Sequence, residues 1–164
     1  MIEQLLVFKE TGILLLKRNL QKKINKEAEE LVTGFFSVVF QYFSKNFGRI
    51  EKIQTSKNLI LISKIGDVYI SLVSSWIDKE SKIPIHDNRY FLNKRLEEIA
   101  VNTMRIIEDK VRKYYHLHEI LQTEELESII DNVLDAEMEK MDIIRSLING
   151  EQINSDFMKV YRGF

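Results

Sequence analysis

A chain of 164 residues with no Cys, one Pro and six Gly fits one ordinary domain, long enough to bury a core without covalent staples. Apolar residues at 45% and charged residues at 30% exclude a disordered chain, and the lack of Cys excludes disulfides, zinc–thiolate sites and thiol nucleophiles. The net charge of −1 hides an asymmetry: residues 1–118 carry 20 Lys and Arg against 14 Asp and Glu, and residues 119–164 carry 4 against 11.

In chain order, Ile2 to Phe8 and Ile13 to Lys17 are short β-type runs. The polar break Lys9-Glu10-Thr11-Gly12 between them reads as a hairpin turn. From about Ile24 to Phe47 the apolar period becomes helical, and Gly48 follows where a left-handed residue ends a helix. Three more β-type runs, Ile50 to Thr55, Asn58 to Ile62 and Val68 to Ser74, are so closely spaced that they predict an antiparallel meander. A loop from Trp76 to Asn88 holds Pro84, and a second helix is predicted from about Arg89 to Tyr115. Thr123 is the expected N-cap of a third helix, with Glu124 and Glu125 set favourably against its dipole. Asn149-Gly150 ends that helix, and the tail Glu151 to Phe164 offers Phe157, Val160 and Tyr161 for docking.

The order is β-β-α-β-β-β-α with an added C-terminal helix. The expected fold is α+β, a two-layer α/β arrangement on a five-stranded antiparallel sheet. The expected division is a sheet domain over residues 1–118 and an acidic helical extension over 119–164 packed on it.

That order resembles the longin and roadblock families, which share a profilin-like sheet flanked by helices. The opening LLVFKETGILLLKR looks like the longin first hairpin. ELVTGFFSVVFQYFSKNFGRIEKI looks like the long first helix of archaeal and eukaryotic longin-type proteins, running through Phe47-Gly48 into the third strand. NLILISKIGDVYISLVSS continues the meander through the Gly66-Asp67 turn. The resemblance covers roughly residues 1–115 and contains no catalytic motif. It implies a homodimer or a heterodimer with a related protein, which binds or regulates a small GTPase or serves in trafficking and signalling complexes. A structural adaptor without GTPase contact and a small-ligand sensor on the same fold are the alternatives, because fold does not fix function.

The residues themselves offer two contact surfaces. Plotted as a helix, Leu31, Phe35, Val38, Val39 and Tyr42 are expected to point at the sheet. Phe36, Phe40, Phe43 and Phe47 widen the apolar arc to roughly 200°, where packing on one sheet needs a stripe of about 100°. Phe36, Phe40 and Phe47 are therefore the candidates for a partner interface, unless another helix covers them. Gly34 lies inside the same helix, where glycine is unfavourable; close approach of another backbone would explain it, and so would simple tolerance.

The second surface is acidic. Glu119 to Asp142 holds nine acids and only Lys140 as a base. Glu127, Asp131 and Asp135 fall on the face opposite the apolar stripe Leu126, Ile130, Val133, Leu134, Met138 and Met141. Their counter-charges are expected in cis, from Lys94, Arg95, Arg105, Lys110, Arg112 and Lys113 on the second helix, or in trans from a basic partner.

No catalytic, cofactor or metal residue emerges. His116 and His118 are two apart and do not share a helix face, and His86 stands alone. Glu97-Glu98, Glu108-Asp109 and Glu124-Glu125 read as solvated faces of amphipathic helices. No P-loop, dinucleotide fingerprint or nucleophile elbow is present. No basic stripe interleaved with aromatics points to nucleic acid. Apolar runs such as Ile13 to Leu16 fall far short of the roughly 20 residues of a membrane span, and Glu3, Lys9 and Glu10 interrupt any signal-peptide core. The expectation is a cytoplasmic protein that reaches a membrane only through partners.

Overall fold

The computed structural model describes residues 1–20, 29–77, 89–118 and 123–149. The predicted helix start near Ile24, the loop with Pro84 and His86, and the tail with Phe157, Val160 and Tyr161 lie outside them.

Two strands open the chain, β1 (Ile2–Lys9) and β2 (Leu14–Asn19), followed by helix α1 (Glu29–Asn46). The meander is β3 (Lys52–Gln54), β4 (Asn58–Ile65) and β5 (Val68–Ser75), and helices α2 (Arg89–His118) and α3 (Thr123–Asn149) complete the order. All paired strands are antiparallel, in the order β2-β1-β5-β4-β3. The two edges are therefore β2 and β3, and β1 lies inside the sheet. The chain must travel from one edge to the other between β2 and β3. Four strand spacings cover about 19 Å, and an 18-residue helix is ~27 Å long, so α1 is long enough to make that crossing.

Side chains alternate across the pleat, which splits the core in two. Leu5 and Val7 of β1, with Leu59, Leu61, Ile70 and Leu72, face Ala100, Met104, Ile107 and Val111 of α2 and Leu126, Ile130, Val133, Leu134 and Met141 of α3. On the opposite face Leu6, Phe8, Ile62 and Tyr69 meet Phe40 of α1. The layers are therefore three rather than the expected two: α1, the sheet, and the α2–α3 pair. Strands covered on both sides need apolar residues at consecutive positions, as in Leu5 to Phe8, all of them buried.

Turn chemistry agrees with the strand ends. Gly12 and Gly66 both have positive φ, 89° and 59°. Gly12 also lies against α1: a Cβ there would stand 3.1 Å from Gly34 Cα. At Gly66 a Cβ would stand 2.6 Å from the Tyr115 ring of α2. These contacts fix the hairpin ends against helices on opposite sides of the sheet.

Candidate protein interface

Helix α1 is docked by few contacts, and they are polar as well as aromatic. Ser37 Oγ and Gln41 Nε2 both donate to the Glu10 carbonyl in the β1–β2 turn. The Glu10 carboxylate accepts from Lys64 Nζ of β4 at 2.9 Å. This bond holds the Lys64 ammonium above its ordinary pKa, against the opposing effect of burial. Beyond that clamp, the Phe40 ring stacks 6.3 Å from Phe8 and lies 5.4 Å from Tyr69. Phe36 stacks on Phe40 at 5.4 Å, with the ring planes 5° apart.

These contacts turn the helix differently from the sequence plot. Phe36, Val39 and Phe40 face the sheet, whereas Phe35, Val38 and Tyr42, expected at the centre of the buried arc, are 66%, 69% and 58% exposed. Phe40, expected at a partner interface, is a core residue with 2% exposure. One large aromatic fills the space against Phe8 and Tyr69, so it anchors the helix instead of displaying itself. Phe36 is half-buried on its back.

The remaining aromatics continue outward. Phe43 lies 5.5 Å from Phe47, and Tyr42 lies 6.0 Å from Phe47. Phe47, a candidate for a partner interface in the sequence plot, is 72% exposed. Gly48, with φ 104°, ends the helix by turning its N–H back to Phe43 O at 2.9 Å. The result is a ridge of Phe35, Val38, Tyr42, Phe43 and Phe47 along the outer side of α1, and α3 lies on the far side of the sheet from it. These five side chains together form an apolar, aromatic-rich strip on the water-facing side of the described residues. A Cβ at Gly34 would meet nothing within 4 Å. Gly34 is thus open on its side-chain side, and the Gly12 turn lies against its backbone.

The acidic surface resolves differently. Arg18 of β2 donates from Nε and Nη2 to the two carboxylate oxygens of Asp131, at 2.6 and 2.9 Å. Glu127 stands 3.5 Å from the same guanidinium. The Arg18 bond holds the Asp131 carboxyl below its ordinary range, with burial opposing. The same guanidinium also donates from Nη1 to Lys17 O on the edge strand, at 3.1 Å. The counter-charge expected on α2 is therefore supplied by β2, while Arg95 and Arg112 pair with Glu98 and Glu108 of their own helix. Asp135 is exposed. Glu137, which the sequence plot did not single out, lies in the buried stripe of α3 at 4% exposure. Its Oε1 accepts from Lys140 Nζ at 2.7 Å, and its Oε2 has no partner.

Among the described residues no three His, Asp or Glu gather as a metal ion would need, and no helix is long and apolar enough to cross a membrane.

Solved structures similar to this chain include MglB and roadblock proteins. The gliding protein MglB of Thermus thermophilus is 10% identical over 45% of this chain, with a TM-score of 0.39, and the match spans 61% of that protein's length. MglB of Myxococcus xanthus is 10% identical over 70% of this chain and 84% of its own, with a TM-score of 0.42. A roadblock/LC7 domain from Streptomyces avermitilis is 8% identical over 63% of this chain and 86% of its own, with a TM-score of 0.37. No protein-family model matches the sequence, and no curated protein matches it.

Proposed function

We propose that this chain is a non-catalytic protein-binding module whose contact surface is the outer face of α1. The observation that carries the reading is the ridge of Phe35, Val38, Tyr42, Phe43 and Phe47, which leaves five large apolar side chains at least 40% exposed on α1 and the residue that follows it. Covering a side chain of this size is worth about 1.5–3 kcal/mol, so a complementary surface would bind there chiefly by excluding water. In this reading the first partner is a second copy or a related chain, giving a dimer. The resemblance to longin and roadblock proteins then implies a small GTPase, or a trafficking or signalling complex built around one, as the further partner.

Two measurements test the reading. Light scattering on the full chain at high micromolar concentration should give the mass of a dimer, and Val38→Glu should return it to that of a monomer. A wild-type chain that stays monomeric, with Val38→Glu behaving identically, would remove the dimer from the proposal. Retention of a purified small GTPase on the immobilised chain, compared with GDP and with a non-hydrolysable GTP analogue, tests the further partner. Nucleotide-independent retention would favour a structural adaptor. Absence of retention in both states would sink the GTPase assignment.

A further inference from the structure

We draw no further inference here: the strongest candidate, the open groove between Lys57 in the β3–β4 turn, Trp76 at the end of β5 and Tyr90 and Lys94 on α2, carries nothing, because among the described residues no unpartnered buried polar group lines it and nothing in the structure shows what covers it.

Discussion

Arg18 and Asp131 meet through both carboxylate oxygens, at 2.6 and 2.9 Å, and so tie α3 to the edge strand β2. The two-pronged geometry is the stronger form of a charge-assisted pair, although both side chains remain partly in water, where screening weakens them. Asp131→Asn should lower stability by about 0.5–1 kcal/mol, read as a shifted urea midpoint. The sign of the pH effect follows from the direction of the shift. Because the folded chain holds this carboxyl below its ordinary value of 3.8, the pair's contribution is complete above that value. It is lost as the pH falls through the lower folded value. The difference between wild type and Asp131→Asn should therefore be constant near neutrality and shrink towards zero in acid. A difference that grows in acid would contradict the assignment.

Phe40 and Phe47 lie two turns apart on the same chain segment and should respond in opposite ways. Phe40→Ala removes a buried ring from the α1 side of the core and should cost about 3–5 kcal/mol, seen in the melting temperature. Phe47→Glu changes an exposed ring and should leave the melting of the monomer within about 0.5 kcal/mol, while weakening self-association. If Phe47→Glu destabilised the monomer as much as Phe40→Ala, the ridge would belong to the chain's own core.

Gly66 and Gly34 offer a contrast in what a single methyl group meets. Gly66→Ala forces a side chain into a left-handed backbone and places a Cβ 2.6 Å from the Tyr115 ring. The expected loss is about 1–3 kcal/mol, partly relieved when Tyr115→Ala is added. Gly34→Ala sits in a helix with open space around its Cβ and should gain about 0.5–1 kcal/mol. Chemical denaturation of the three variants decides both points.

Glu137 is a carboxylate placed where α3 buries its apolar stripe. A buried acceptor without a partner costs about 1–3 kcal/mol, so Glu137→Met should raise the melting temperature. Lys140 is 40% exposed at its side chain and can return to water. A lower melting temperature for Glu137→Met would mean that the ion pair with Lys140 outweighs the unpartnered oxygen.

The division at residue 118 can be tested by truncation. Leu126, Ile130, Val133, Leu134 and Met141 of α3 share one cluster with β1, β4, β5 and α2, and their burial is worth roughly 7–15 kcal/mol together. That is comparable to the whole stability of an ordinary domain. A chain ending at His118 should therefore lose its cooperative melt and bind a hydrophobic dye. A truncated chain that melts as sharply as the full one would establish residues 1–118 as a unit by themselves.

The sequence by itself determined the elements and their order. Short β-type runs and turn signals placed the strands, the 3.6-residue period placed the helices, and Gly12, Gly48 and Gly66 marked ends where the backbone does take positive φ. These signals are local, because strand pleat, helix period and turn dihedral are properties of a few neighbouring residues. The layering was not read from the sequence, although the unbroken apolar runs Leu5 to Phe8 and Leu59 to Ile62 suit a sheet covered on both faces. The tertiary structure decided which face α1 took and how it rolled. An arc of roughly 200° has no unique centre, so its rotation is set by fitting Phe40 between Phe8 and Tyr69 and by tying Ser37 and Gln41 to the Glu10 carbonyl. It likewise decided that Asp131 answers Arg18, 113 residues away. Charge spacing within a helix names the candidates for a pair, but strand order brings the opposite charge within reach.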